Sequence, residues 1–250
     1  MHRHRTTRTV AVLVVAALLA GCGGGGESPA PAAATAEGLW VGSTDTNQSL
    51  TGIVLDEGTC YILYSPPGED SLFAGYLHGT GTWSGGTFVS DNARDFNFRG
   101  LGVSTADISG AFTQKQTFAG TVAYGTGRGL TFSASYDANY EALPLLSVLA
   151  GSFTGQGADA TGLVNTTLSV SPAGTITGIT TAGCTATGTV APRPHGNIFD
   201  LSLTFGPTPC GTPNQTLTGV AYYSTATRRL IAAAQNGSRT EGFLFLGSKL

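Results

Sequence analysis

The histidines beyond the N-terminal segment are the first candidates for metal binding or acid–base catalysis. A zinc or haem site needs several ligands, but only His78 and His195 are available there and the sole methionine is Met1. Each histidine follows a predicted turn or strand end, where a solvated side chain is the simpler interpretation. We therefore predict no metal site and no cofactor; a site shared by both histidines and carboxylates stays open as an alternative.

Two further stretches resemble sites of known chemistry only in part. Residues 45–49 have calcium-loop spacing with Asp56 at the twelfth place, but Leu50 occupies the position that requires glycine for a sharp turn. Ser84 lies within Gly-Thr-Trp-Ser-Gly in the wrong register for a nucleophile elbow. We interpret the first stretch as a polar hairpin loop and the second as a hairpin turn. We predict no catalytic residues and a protein that is not an enzyme.

Cys22 stands at the end of a segment with its own pattern. Arg3, Arg5 and Arg8 precede an apolar run over residues 10–20, and small residues lie directly before the thiol. A basic start, a short apolar run and small residues at a cleavage point are typical of an export signal. The apolar run is about half of the roughly 20 residues that a membrane-spanning helix needs.

The string Leu19-Ala20-Gly21-Cys22 resembles the lipobox of bacterial lipoproteins. This resemblance implies that residues 1–21 are removed and that the Cys22 thiol takes up a diacylglycerol, so that acyl chains such as palmitate hold the protein in a lipid bilayer. Gly23 follows the cysteine where an aspartate would favour the inner membrane, so we expect a lipid-anchored protein of the cell envelope, at the outer membrane.

Composition limits the rest of the chain. Residues 22–36 are rich in Gly, Pro and Ala and form a predicted tether. Beyond Cys22, nine basic residues face 15 acidic residues, which argues against nucleic acid as a partner. Charged residues make up 11% of the chain, against about 25% in an average domain, and Gly and Thr take their place. This composition favours short strands and tight turns.

The chain contains an internal duplication. Four short matches occur in the same order in both halves, pairing 38–42 with 151–155, 58–59 with 174–175, 95–98 with 200–203, and 116–124 with 215–223. We predict a first β repeat over 37–140, a linker over 141–150 with a short helix starting at Pro144, and a second β repeat over 151–250.

Strict alternation of apolar and polar residues, as in 199–205, indicates antiparallel sheets with one buried face. About eight short strands are predicted in each half, and eight is a number at which a barrel closes around its own side chains or one small ligand. The predicted fold is therefore all-β, with two tandem antiparallel meander barrels. A single larger barrel or β-sandwiches are the alternatives.

The duplication also informs the cysteines and tryptophans. Cys184 and Cys210 flank one predicted strand, and we predict a disulfide between them. Cys60 aligns with Ile176, which suggests a buried apolar role rather than a reactive one. Trp40 aligns with Phe153 and is assigned to the core, whereas Trp83 lies beside a turn and is the candidate ligand-facing aromatic residue.

The layout of anchor, tether and Gly/Thr-rich β domain is similar to bacterial lipoproteins of unknown function. It is similar more distantly to surface lipoproteins such as transferrin-binding protein B and the factor H-binding proteins, whose small barrels are binding modules. No motif residue carries over from these families. The resemblance implies a non-enzymatic binding or interaction module that takes a small ligand or an envelope protein as its partner.

Three hypotheses about function make different structural predictions. A binding module predicts exposed loops and no polar cluster inside the barrels. A structural or assembly lipoprotein predicts an exposed apolar patch or an open strand edge. An envelope hydrolase or lyase predicts a cleft, for example between the halves, with convergent carboxylates or histidines of perturbed pKa.

Overall fold

The computed structural model describes residues 33–125 and 127–250, so Cys22 and the predicted signal peptide lie outside the described residues. The described chain is almost entirely β-structure, as its composition predicts. None of its helices has the length and apolar character needed to cross a membrane.

Eight strands of the first half close into a barrel, and one short strand pairs at its rim. The sheet follows the order β4-β3-β2-β1-β9-β8-β7-β6-β5, and an additional pairing of β4 with β6 closes the ring. The strands are β1 Gly38–Thr44, β2 Ser49–Val54, β3 Thr59–Tyr64, β4 Gly75–Thr80, β5 Thr82–Ser84, β6 Thr87–Asn97, β7 Gly102–Thr113, β8 Thr117–Tyr124 and β9 Gly129–Tyr136.

The second half forms a closed eight-stranded barrel in simple sequence order. Its strands are β10 Gly151–Asp159, β11 Gly162–Val170, β12 Thr175–Thr180, β13 Thr185–Pro192, β14 Phe199–Phe205, β15 Thr216–Ser224, β16 Arg229–Gln235 and β17 Gly242–Lys249. Every neighbouring pair is antiparallel. The predicted fold class of two tandem eight-stranded barrels is confirmed, and the alternatives of one large barrel or sandwiches are wrong.

The segment between the barrels carries the helices. A 3-10 helix spans Ala138–Glu141 and a short helix, α1, spans Leu146–Leu149. Pro144 therefore lies two residues before the first helical residue instead of starting the helix as predicted. Leu149 is buried in the core of the second barrel, whereas Leu143 of the linker is 77% exposed.

Three of the four repeat matches fall on equivalent strands or turns of the two barrels. The fourth does not. Residues 116–124 lead into β8, the seventh strand of the first ring, whereas 215–223 lead into β15, the sixth strand of the second ring. The fourth match therefore does not mark equivalent places in the two barrels.

The two barrels pack side by side through outward-facing apolar residues. Leu39, Ile53 and Tyr61 of the first barrel meet Val220 and Leu244 of the second in one buried cluster. Outward-facing residues of a single antiparallel barrel are normally polar, so these strands are apolar on both faces because each lies between two cores. This explains why β3, β4 and β17 are more apolar than strict alternation predicts.

Candidate functional site

The first barrel encloses a cavity of about 350 Å³ that opens at one end. The mouth is bordered by the β1–β2, β6–β7 and β8–β9 connections, which contribute Gln48, Leu101 and Arg128 to the lining. The other end of the barrel is filled by an aromatic cluster in which Phe118 packs edge-on against Trp40 at 5.4 Å between ring centres. The walls of the cavity are apolar and are formed by Leu50, Ile62, Leu77, Val122, Leu130 and Phe132.

A polar ring lies inside this apolar lining, near the mouth. Asp95 is 7% exposed, and each of its carboxylate oxygens accepts one tyrosine hydroxyl. Tyr64 donates to Oδ1 at 2.6 Å and Tyr124 donates to Oδ2 at 2.9 Å. Asn97 Nδ2 in turn donates to the Tyr64 hydroxyl at 3.1 Å. We call Tyr64, Asp95, Asn97 and Tyr124 the polar ring.

The ring spans the lumen of the barrel. Tyr64 is the last residue of β3 and Tyr124 is the last residue of β8, and these two strands lie on opposite walls of the barrel. Asp95 lies on β6, which is two strands away from each of them. The three side chains therefore converge from different walls. Such a contact orders the mouth, because buried polar groups that satisfy one another fix the positions of their strands.

Burial and hydrogen bonding set the protonation of the ring. Burial raises the pKa of Asp95 above its ordinary value, while the hydrogen bonds from Tyr64 and Tyr124 act in the opposite direction. The pKa values of both tyrosines are raised, first by burial and then by the neighbouring Asp95 charge. Both hydroxyls therefore stay protonated at neutral pH and donate to the carboxylate.

A β-bulge turns Asp95 towards the cavity. The register between β6 and β7 shifts between Ser90 and Ala93, and both of these residues face the interior. The extra residue reverses the alternation that follows, so Asp95 faces inward while Phe96 faces the second barrel. Asn92 stabilises the bulge, because its side chain accepts from the Thr80 N–H at 2.9 Å and donates to the Thr80 carbonyl at 3.0 Å.

The second barrel has no comparable cavity. Its interior holds a void of only about 20 Å³ with apolar walls. The ten-residue connection 206–215 between β14 and β15 closes one end, whereas the equivalent connection of the first barrel, 98–101, has four residues. The long connection crosses the barrel end: a Cβ built on Gly211 would lie 2.6 Å from Cγ of Asp159, which belongs to the strand opposite β14 in the barrel.

The tryptophan predictions had different outcomes. Trp40 is 1% exposed and fills the closed end of the first barrel, which confirms its assignment to the core. Trp83, the predicted ligand-facing aromatic residue, is not among the residues that line this cavity. It lies on β5 at the opposite end of the barrel from the mouth and stacks on Phe88 at 6.5 Å between ring centres. A tryptophan beside a hairpin turn covers the aromatic core here.

The histidine predictions also had different outcomes. His195 is in a loop and its side chain is 57% exposed, as predicted. His78 was predicted to be solvated, but it is 9% exposed on β4, facing the second barrel. Its Nε2 lies 3.3 Å from Gln235 Nε2 of the second barrel. Across residues 33–125 and 127–250, no three His, Cys, Asp or Glu side chains converge as a metal site requires.

Acidification is expected to destabilise the protein through His78. Burial, followed by the charge of Arg239, lowers the pKa of His78 from 6.5 to about 4. The unfolded chain therefore takes up a proton near pH 6.5, while the folded protein remains neutral down to about pH 4. Between pH 7 and pH 4, His78 should lower the free energy of unfolding by about 3 kcal/mol.

Urea unfolding at several pH values measures this effect. His78→Gln should lose part of the decline in stability below pH 6.5, whereas His195→Gln, at an exposed site, should keep it. Equal slopes for wild type and His78→Gln would show that the imidazole does not resist protonation in the folded state.

The cysteines are arranged as predicted. Cys184 and Cys210 form a disulfide, and Cys60 is a free buried thiol. Burial raises the pKa of the Cys60 thiol to about 12, which makes it a poor nucleophile at neutral pH.

The polar ring was not predicted from the sequence. The expectation that a binding module has no polar cluster inside its barrels is wrong for the first barrel. Residues 95–98 read as Asp-Phe-Asn-Phe, a pattern that places the phenylalanines in the core, and only the bulge reverses it. The pair Asp91-Asn92, polar at the centre of a long strand, was the available signal of that bulge.

Comparisons with known proteins give little further information. No protein-family model and no curated protein matches the chain. Among solved structures, the chain is similar to a protein of Bacteroides fragilis that is provisionally described as an outer membrane protein. The two are 16% identical over 85% of this chain and 96% of that chain, with a TM-score of 0.25. A TM-score this low does not relate the two folds, and no functional statement follows from it.

Proposed function

We propose that this chain is a lipid-anchored protein of the bacterial cell envelope whose first barrel binds a small amphipathic molecule without transforming it. The observation that carries the proposal is the cavity of about 350 Å³, open to solvent at one end of the barrel. This volume lies within the range of roughly 300–1,000 Å³ that small-molecule sites occupy. The anchor and the outer-membrane location rest on the lipobox resemblance around Cys22.

The contrast between the barrels supports a ligand. Both barrels have eight strands, and the second barrel is filled by its own side chains, with a void of about 20 Å³. The open space in the first is therefore not a consequence of strand number. An unfilled apolar space costs packing energy, and it persists where a ligand provides the missing contacts in the functional state.

The lining fits an amphipathic ligand. The apolar walls match a hydrocarbon or ring portion, and the polar ring near the mouth matches a polar head. The ring side chains are committed to fixed hydrogen bonds with one another, and both tyrosines remain protonated at neutral pH. This fixed set of polar groups suits recognition of a head group, which is why we propose binding rather than catalysis.

Blocking the cavity tests the proposal. The mature chain is exported behind an ordinary secretory signal that replaces residues 1–22, so that no detergent competes for the site. The fluorescent apolar probe N-phenyl-1-naphthylamine should bind the wild type with an increase in fluorescence that saturates. Val122 is a wall residue that is 3% exposed. Val122→Phe should reduce probe affinity by at least tenfold, because the introduced phenyl group occupies the cavity.

Val89→Phe is the matched control, because Val89 is 47% exposed on the outside of the same barrel. It should bind the probe like the wild type. Equal binding by all three proteins would place the probe outside the cavity, and the absence of any saturable binding would contradict the proposed function.

A further inference from the structure

In the polar ring, both tyrosine hydroxyl protons and one of the two Asn97 Nδ2 protons are used within the ring, and the Asp95 carboxylate accepts one hydrogen bond on each oxygen. The hydroxyl protons of Tyr64 and Tyr124 are both directed at Asp95, and Asn97 Nδ2 is directed at Tyr64. Asn97 Oδ1 is occupied by backbone N–H groups of its own loop, including that of Arg99 at 2.9 Å. The chain of donors therefore ends at one buried carboxylate.

The carboxylate retains capacity for a ligand. An ionised carboxylate has about four lone-pair positions on its two oxygens, and the tyrosines use one on each oxygen of Asp95. Asp95 also lines the open cavity. A ligand head that donates hydrogen bonds can use the remaining lone-pair positions of Asp95, whereas for a head that only accepts, both tyrosine protons are already directed at Asp95.

We infer that the head group of the ligand is a protonated amine, which donates to Asp95 while its apolar portion packs on the cavity walls. This inference rests on the proposed function and names its ligand class. A buried carboxylate is most favourable when a cation pairs with it, and charge-assisted hydrogen bonds are roughly twice as strong as neutral ones. The two tyrosines hold the carboxylate in place for that contact.

Arg128 defines the competing possibility. It also lines the cavity, and its guanidinium lies 6.0 Å from the centre of the Tyr124 ring. A carboxylate ligand would use Arg128 as its partner, but its own charge would then lie in the same cavity as Asp95. The relative affinity of the cavity for ammonium and carboxylate head groups therefore shows whether Asp95 or Arg128 binds the head group.

Three probes with the same eight-carbon alkyl chain separate the possibilities: n-octylamine, n-octanol and the carboxylate nonanoate. Each displaces N-phenyl-1-naphthylamine from the mature chain at neutral pH. We expect octylamine to bind about tenfold more tightly than octanol, because a hydrogen bond to a charged group contributes more than a neutral one, and nonanoate to bind most weakly. Tighter binding of nonanoate than of octylamine, or equal binding of octanol and octylamine, overturns the ammonium assignment and leaves the cavity as a site. If the naphthylamine probe binds nowhere, the proposed function itself fails.

A variant locates the effect at Asp95. Asp95→Asn should bring octylamine affinity down to that of octanol, while octanol binding stays within a few fold of the wild type and reports an intact cavity. Asp107→Asn removes an exposed carboxylate of the same barrel and should keep the preference for the amine. An amine preference that survives Asp95→Asn contradicts the inference, and the order of the three probes on the wild type decides the matter even if this variant does not fold.

Discussion

Substitution of Cys22 by serine is expected to abolish incorporation of labelled palmitate and to leave the precursor uncleaved, with residues 1–21 still attached. In the anchoring that we propose, the thiol takes up the diacylglycerol, and a serine hydroxyl is a much weaker nucleophile at neutral pH. The measurement is metabolic labelling followed by the mass of the exported chain. Cys60→Ala is the matched control, because Cys60 is buried within the first barrel and should not affect labelling.

The consequence for location is large. Each buried methylene contributes about 0.8 kcal/mol to membrane binding, so the proposed acylation would raise the partition coefficient into a membrane by many orders of magnitude. Replacement of residues 1–22 by a secretory signal without cysteine should move the protein from the membrane fraction to the soluble fraction. Persistent membrane association of that chain, or palmitate labelling of the serine variant, would exclude Cys22 as the anchor.

The architecture was predictable because its signals are local. In β14, alternate residues face the core and solvent throughout, and the burial pattern follows the sequence residue by residue. Gly and Thr in place of charged residues indicate turns and strands in the same way. Regular alternation and short turns depend only on neighbouring residues, so they survive in a single sequence.

The candidate site was not predictable for a physical reason. A strand with period-2 alternation keeps one face inward, but one extra residue reverses every side chain beyond it. The bulge near Asn92 does this in β6, and it turns Asp95 into the lumen, whereas Asp200, its counterpart in the repeat, is exposed. A bulge depends on contacts with neighbouring strands. Here Asn92 of β6 is held by Thr80 of β4, and such a contact between strands cannot be recognised in the local sequence pattern.

Packing between the barrels obscured the alternation in a second way. His78 lies on a strand whose residues are buried on both faces, so nothing in the local pattern separates the residue that lines the cavity, Leu77, from the one that faces the other barrel. The sequence predicts two barrels, but not which of their outer faces meet.

The disulfide lies at the end of the second barrel where the connections of the two barrels differ in length. Cys184 lies in the turn after β12, and Cys210 lies at the middle of the connection that crosses the end of the second barrel. Both cysteines are buried, at 7% and 6% exposure, and belong to the core of that barrel. The first barrel has a four-residue connection at the equivalent place, and its end is open.

Loss of this disulfide is expected to lower the free energy of unfolding by about 3 to 4 kcal/mol, because the bond closes a 26-residue separation in the unfolded chain and so restricts its entropy. The double variant Cys184→Ala/Cys210→Ala should show this loss in urea unfolding, and hydrogen exchange should accelerate across 206–215 as the connection loses its attachment. Dithiothreitol should destabilise the wild type by a similar amount and leave the double variant unchanged, since Cys60 is free in both.

Binding of the apolar probe to the first barrel should persist in the folded double variant, because the disulfide lies in the second barrel. A loss of probe binding would show that the two barrels are coupled.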